Sequence, residues 1–162
     1  MYGSPPLAAL AALVLASSAL LLAVAFAPQA ALAHSHKKKG VEVVHPWTAA
    51  TAKADGTTRV FMKIKNLGGA PDRLVGASTV EAAKTELLET SGDTSKPVAA
   101  VAIAPGKDAL LSADGPHVVL TGLKKRLDAY DSFKLTLVFE KAGSMVVDVA
   151  IEEAETEAPH KH

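Results

Sequence analysis

The chain has 162 residues, no net formal charge and no cysteine. A balanced charge gives no support for a general nucleic-acid binder, which usually carries a basic excess. The absence of cysteine excludes disulfides, thiolate metal ligands and a cysteine nucleophile. The length that remains after residue 33 is enough for one domain with its own core.

Residues 1–33 are predicted to be a targeting segment and not part of the fold. They contain no charged side chain, residues 7–27 are rich in Ala, Leu and Val, and Ala31-Leu32-Ala33 is a small-x-small cleavage signal. We therefore predict a secretory signal peptide that ends at Ala33. The alternative is an uncleaved anchor, since no Lys or Arg precedes the apolar stretch, and only in that case would the chain touch a membrane. Both alternatives predict export.

Short strand patterns separated by turn signals follow in the rest of the chain. Residues 34–40 are polar and basic, and predict a linker. Residues 41–44 predict a short strand that ends at His45-Pro46, because proline donates no ladder hydrogen bond. Residues 59–66 alternate apolar and polar side chains, as is typical of a half-buried strand. Residues 80–90 fit either a helix or a strand.

The clearest hairpin lies near the end of the chain. Residues 133–139 alternate apolar and polar side chains, residues 141–144 form a turn, and residues 145–151 return with the same alternation. In total, about eight or nine short strands with regular turn signals predict an all-β sandwich or barrel. Residues 152–162 form an acidic tail with histidines at its end, which we predict to be disordered.

No catalytic motif is present. The chain has no G-x-S-x-G, H-E-x-x-H or P-loop spacing, and its carboxylates are scattered along the polar faces of strands. The sequence therefore predicts a protein that is not an enzyme.

Metal binding rests on histidine. The chain has six histidines, and imidazole suits Cu(II), Zn and Ni. If cleavage falls after Ala33, the chain would begin His34-Ser35-His36, where a free amine, two amide nitrogens and the imidazole of His36 could hold Cu(II) or Ni(II) in a square plane. The tail pair, His160 and His162, is His-x-His by composition only.

Two further histidines lie within the predicted strands. His117 follows a Gly115-Pro116 turn at the entry of an apolar run. It could be a metal ligand, or it could hydrogen-bond the turn. His45, beside Pro46 and Trp47, is expected to pack or to lie at the surface.

Five stretches together resemble the PCu(A)C periplasmic copper chaperones. They are residues 43–49 (VVHPWTA), 66–68 with 72–78 (NLG and DRLVGAS), 86–90 (ELLET), 115–125 (GPHVVLTGLKK) and 135–143 (LTLVFEKAG). The resemblance implies a cupredoxin-like Greek-key β-sandwich over residues 41–151 and a copper cargo. It also implies a periplasmic location and a copper-recipient or assembly protein of the cell envelope as partner.

The same resemblance locates the expected copper ligands, and most are substituted. The family uses a histidine in an H-E-T pattern, a methionine in the following loop and an H-x-M pair. Those positions are Leu88, Ser95, His117 and Val119 here, so only His117 keeps its ligand type. One hypothesis is copper binding by His117 with His34 and His36, which as nitrogen ligands favour Cu(II). The other is a metal-free interaction module, in which Leu88 and Val119 form an apolar patch.

Overall fold

The protein is described by a computed structural model over residues 35–154. This part of the chain contains eleven strands and no helix. The strands are β1 (Ser35–Lys38), β2 (Val41–Ala49), β3 (Thr57–Asn66), β4 (Asp72–Ser78), β5 (Ala82–Ser91), β6 (Thr94–Pro97), β7 (Val101–Ile103), β8 (Asp108–Leu111), β9 (Pro116–Leu123), β10 (Ser132–Phe139) and β11 (Gly143–Glu152). Accordingly, residues 35–154 hold no helix with the length and apolar character needed to cross a membrane. The predicted signal peptide and most of the predicted tail lie outside the described residues.

The strands form one hydrogen-bonded path in the order β6-β5-β9-β3-β2-β11-β10-β4-β7, with β1 added to β2 and β8 added to β3. Alternate residues of strands from both ends of this path enter the same core cluster. Examples are Val60 and Val118 from one end and Leu135 and Val147 from the other. The sheet therefore folds over its own apolar face and buries it in two layers. The all-β prediction is confirmed.

Strand β2 changes its partner halfway along. Residues 41–44 pair with β1, and residues 47–49 pair in parallel with the last residues of β11. The change occurs at His45-Pro46, where the pairing with β3 also shifts its register and His45 has φ of 49°. This is a β-bulge, which bends a strand without ending it. The prediction that the strand ends at His45-Pro46 was therefore wrong.

The strand count exceeds the predicted eight or nine because two polar segments pair as edge strands. Residues 34–40 were predicted to be a linker, but Ser35–Lys38 forms β1 against β2. Long cationic side chains stabilise it, since Lys37 lies 3.4 Å from Glu42 and the Lys38 ammonium donates to the Ser144 carbonyl at 2.6 Å. The polar residues Thr94–Pro97 likewise form β6 against β5, and the 80–90 segment, which fitted either a helix or a strand, lies largely in strand β5.

The alternation of the predicted strands 59–66 and 145–151 places Met62 and Met145 on the core face, and the structure confirms this. Met62 and Met145 are 2% and 6% exposed, and both belong to the hydrophobic core cluster. Neither thioether is therefore available as a surface metal ligand, as the alternation of their strands predicts.

A buried carboxylate joins β4 to the β10–β11 turn. The Asp72 side chain accepts hydrogen bonds from the backbone N–H groups of Arg73, Lys141 and Ala142 at 2.8, 2.9 and 2.9 Å. Burial alone would raise the pKa of Asp72, but these three donors and the nearby Lys141 ammonium outweigh it, so the pKa lies below its usual value. The ionised form of Asp72 therefore stabilises the fold.

We predict that Asp72→Asn destabilises the protein by about 2–3 kcal/mol, because an amide nitrogen would face a buried N–H donor and leave it unpaired. Urea denaturation at neutral pH measures this loss. Since the folded-state pKa is below the unfolded one, the stabilisation is present above about pH 4 and is lost as the pH falls. Between about pH 5 and pH 2, the wild-type free energy of unfolding should thus fall more steeply than that of Asp72→Asn. The exposed Asp93→Asn is the control, and an equal loss in both variants would contradict the prediction.

Candidate functional site

A pocket of about 460 Å³ opens on the outer face of the β5-β9-β3 layer, opposite to the core. Its wall is formed by β3, β5, β6 and β9 together with the end of β2 and the loop that follows it. The lining residues are Ala49, Ala50, Thr51, Thr57, Thr58, Arg59, Phe61, Leu88, Ser95, His117 and Val119. All four positions that the sequence resemblance marked as copper-ligand positions are among them.

Strand register explains why these four positions meet. Leu88 of β5 lies directly opposite His117 of β9, and Val119 is two residues further on the same face. Ser95 of β6 pairs with Thr90, which is two residues beyond Leu88. Val118 and Leu120, which alternate with the pocket residues, are fully buried on the core side. The alternation of β9 thus separates the pocket wall from the core.

His117 is buried and held in one orientation. It is 2% exposed, and its Nδ1 lies 2.9 Å from the Gly115 carbonyl oxygen, which can only accept. Nδ1 therefore carries the proton and donates, which leaves Nε2 of the neutral ring as the free lone pair. No buried side-chain nitrogen or oxygen of residues 35–154 lacks a partner. Because Nε2 has no protein partner, it must be accessible from the pocket.

The two expectations for His117 concern different atoms of one ring. Nδ1 bonds the turn, as the structural interpretation predicts, while Nε2 is presented as a potential ligand. This arrangement is typical of metal-binding histidines, whose second nitrogen usually donates to a carbonyl or carboxylate. The Gly115 carbonyl is itself fixed, since it also accepts from the Thr90 backbone N–H at 3.1 Å.

An aromatic pair and an arginine form the β3 side of the pocket. The Phe61 ring lies 6.2 Å from the His117 ring and 5.1 Å from the Trp47 ring, centroid to centroid. The Arg59 guanidinium lies 5.9 Å from the Phe61 centroid, at cation–π distance. This wall is therefore apolar at its base and positively charged at its rim.

Hydroxyl groups complete the wall near the end of β2. The Thr48 hydroxyl donates to the Arg59 carbonyl at 2.8 Å, so the Thr58 hydroxyl, 2.8 Å away, donates to Thr48. The Thr51 hydroxyl accepts from the Leu127 backbone N–H at 2.9 Å and keeps its own proton free. These bonds fix the β2–β3 corner against which a ligand would lie.

The donors in the pocket do not form a complete metal site. His117 supplies the only imidazole in the wall, and the lining residues include no carboxylate and no sulfur. Within residues 35–154, no three His, Cys, Asp or Glu side chains come close enough to hold a metal ion together. A single imidazole binds copper weakly, so the pocket needs further donors if it is to hold the ion.

The other predicted histidines lie away from this pocket or outside the described residues. His36 is fixed in β1, where its Nε2 accepts from the Asp148 backbone N–H at 3.3 Å. His45 lies 2.9 Å from a Glu152 carboxylate oxygen on the other side of β2 and is half exposed. His34, His160 and His162 lie outside residues 35–154. The structure therefore does not bring His36 to His117.

Sequence reasoning missed Arg59, Phe61 and Thr51 as pocket residues. No motif includes them. One signal was available, because the predicted strand 59–66 already put Val60, Met62 and Ile64 on the core face. Arg59 and Phe61 had to lie on the opposite face, but only the three-dimensional pairing of β3 with β9 makes that face the same as that of His117.

Comparisons with solved structures identify proteins of the same fold. The apo PCuAC domain from PmoF1 matches with a TM-score of 0.69 and 29% identity, covering 75% of this chain and 100% of that domain. The copper-bound PCuAC domain from PmoF2 has a TM-score of 0.67 and 25% identity, covering 75% and 99%. The Cu(I) form of DR1885 from Deinococcus radiodurans has a TM-score of 0.56 and 25% identity, covering 79% and 87%.

Sequence comparisons lead to the family. “Putative lipoprotein Lxx21020” of Leifsonia xyli subsp. xyli (strain CTCB07) is 28% identical over 131 residues, which are 78% of this chain and 78% of that protein. A family described as “Putative lipoprotein LpqE-like” matches residues 41–151. The fold is thus that of a PCuAC-type β-sandwich, as the resemblance implied. The chain belongs to the LpqE-like family.

We predict that Leu88→His with Val119→Met creates a Cu(I) site. The introduced imidazole would lie opposite His117, and the introduced thioether would lie two residues along the same face, which gives three soft or borderline donors on one wall. Competition with a Cu(I)-specific chromophoric chelator should show a gain of at least about 100-fold over wild type, because two ligands are added to one.

Leu110→His with Val146→Met is the matched control, since Leu110 and Val146 are 60% and 54% exposed and lie outside this pocket. It should leave the Cu(I) affinity within about twofold of wild type. An equal gain in both variants would mean that the pocket geometry plays no part.

Proposed function

We propose that the protein is an exported copper-handling protein in which the sandwich supplies one ligand, His117, and the remaining ligands come from outside the pocket. The observation that supports this most directly is the orientation of His117, whose Nδ1 is used by the Gly115 carbonyl while Nε2 is open to the pocket. The PCuAC fold shared with a copper-bound domain supports the same proposal. Its role is binding and delivery, not catalysis.

The C-terminal histidines are suitable additional ligands. Glu152 ends β11 beside Ala49, and its carbonyl accepts from the Ala50 backbone N–H at 2.8 Å, so the chain leaves the sandwich at the pocket edge. His160 follows eight residues later in the sequence, and extended chain spans roughly 3.3 Å per residue. An arm of that length can return to the pocket and add imidazole nitrogen to that of His117. An all-nitrogen set favours Cu(II).

The N-terminal pair is a second source of ligands. His34 immediately precedes β1, and would carry the free amine if the chain is cut after Ala33. His36 would first have to give up its hydrogen bond with the Asp148 backbone. A square-planar site over residues 34–36 would also use amide nitrogens that lie in a paired strand. His34 is therefore the stronger N-terminal candidate.

Export to the periplasm or cell envelope is part of the proposal. The predicted signal peptide and two matches described as lipoproteins support it. An uncleaved N-terminal segment is the alternative to a cleaved signal peptide in this proposal.

A metal-free interaction module is the second candidate. Leu88 and Val119, in place of ligands, are half-buried and line the pocket, so they offer an apolar patch to a partner of the cell envelope. Val119→Thr makes the patch more polar without adding a carboxylate that could bind Cu(II). It should weaken partner binding if the patch is the interface, and a partner retained in the presence of a copper chelator would favour this candidate.

We predict that His117→Ala weakens Cu(II) binding by the exported, untagged protein by about tenfold or more, since the ligand around which the site is built is removed. Isothermal titration in a buffer without carboxylates measures the affinity, and titration with Cu(I) in parallel tests the preference for Cu(II).

His45→Ala is the control, because His45 is bonded to Glu152 outside the pocket. It should leave the affinity within about twofold of wild type. Equal Cu(II) binding by wild type and His117→Ala would overturn the proposal. A chain ending at residue 154 lacks His160 and His162, so its Cu(II) affinity tests separately whether the tail supplies ligands.

A further inference from the structure

Arg59 differs from the other two arginines of the chain. The Arg73 guanidinium makes a bidentate ion pair with the Glu140 carboxylate, with N–O distances of 2.7 and 2.8 Å. The Arg126 guanidinium lies 2.9 Å from an Asp128 carboxylate oxygen. Within residues 35–154 the Arg59 guanidinium has no carboxylate partner and instead lies over the Phe61 ring. The aromatic ring holds the arginine in place, and its hydrogen-bond donors are unused. Such an arginine is pre-organised for bidentate binding of an anion.

The surroundings of Arg59 contain no carboxylate that would neutralise it. None of the pocket-lining residues is acidic. Glu86 lies on the same face two strands away, since it and Arg59 flank Val119 in register. Its carboxylate is already paired with the Lys84 ammonium at 2.7 Å. The positive charge at the pocket rim is thus left for a ligand.

The rest of the wall fits the body of a small organic molecule. Phe61, Leu88 and Val119 give an apolar surface next to the guanidinium, and the volume of about 460 Å³ lies within the usual range for small-molecule pockets. The free proton of the Thr51 hydroxyl and Nε2 of His117 supply a donor and an acceptor. Such pockets combine mostly apolar walls with a few polar groups that orient the ligand.

We infer that this pocket binds a small organic carboxylate. The carboxylate bonds to Arg59 at the rim, and the apolar part of the ligand lies on Phe61, Leu88 and Val119. This binding requires no metal. It extends the proposed function, because the same pocket would take a ligand of a second kind, and it does not depend on that proposal being right.

The chain carries its own reporter for this pocket. Trp47 is its only tryptophan, and the indole contacts Phe61, which lines the pocket. Hexanoate is a suitable probe, because it has one carboxylate, an apolar chain and no near-ultraviolet absorption. Titrated into the exported protein after metal has been removed on a chelating resin, with no carboxylate chelator in solution, it should shift Trp47 fluorescence in a saturable way. Hexanamide, the neutral analogue, should bind at least about tenfold more weakly, since charge-assisted hydrogen bonds to Arg59 are lost.

Three variants test the assignment to Arg59. Arg59→Gln should weaken hexanoate binding at least about tenfold, and Arg59→Lys should weaken it several-fold, because an ammonium keeps the charge but not the two-pronged geometry. Arg73→Gln changes the net charge equally but lies on β4, outside the pocket, and should leave the affinity unchanged. Equal affinities for wild type and Arg59→Gln, or for hexanoate and hexanamide, would overturn the inference.

The acidic C-terminal segment is another source of carboxylate. It begins at the pocket edge, where Glu152 pairs with Ala49. A chain ending at residue 154 separates the two sources. We expect truncation to leave the hexanoate affinity unchanged. A gain of tenfold or more would mean that the chain's own carboxylates fill the pocket, and would overturn the inference that the pocket binds an external ligand. Hexanoate binding is measured without metal, so failure here is distinct from failure of the copper proposal, which is read from His117→Ala.

Discussion

Strand β9 is hydrogen-bonded on both edges, to β5 on one side and to β3 on the other. This double pairing fixes the register of three strands at once, and a slip by one residue would turn His117 into the core and Val118 out of it. Val118 and Leu120 are fully buried, so their burial specifies the register strongly. The position of every pocket side chain on these three strands follows from that constraint.

The register also explains why the pocket wall can change its side chains without loss of the fold. Leu88, Ser95 and Val119 lie on the outer face, where a side chain contributes little to the core. Substitution there costs the sandwich little free energy of unfolding, whereas a change at Val118 or Leu120 would leave a cavity or cause overpacking. His117 is different, because its Nδ1 proton holds the Gly115 turn. It therefore has a structural reason to be present in addition to any ligand role.

The sequence predicted the all-β class, the core faces of β3, β10 and β11, and the two buried methionines, because period-two alternation directly reflects burial on one face. It failed where pairing partners decide the outcome. Ser35–Lys38 is polar and basic, and is a strand only because β2 offers a free edge before the His45-Pro46 bulge. The place of Arg59 and Phe61 in the pocket could not be predicted for a similar reason. Alternation shows which face of the sheet they occupy, but it does not show which strand lies beside them. The resemblance located His117, Leu88, Ser95 and Val119, whose proximity comes from register.

The change of partner along β2 has a consequence for self-association. β1 occupies the edge of β2 that β11 does not reach, and it pairs with the N–H and C=O groups of residues 41–44. A chain shortened past residue 38 would expose that edge. Exposed edges recruit strands from other molecules and promote aggregation. The four polar residues of β1 therefore protect the sandwich from edge-to-edge association, although they add almost nothing to its core.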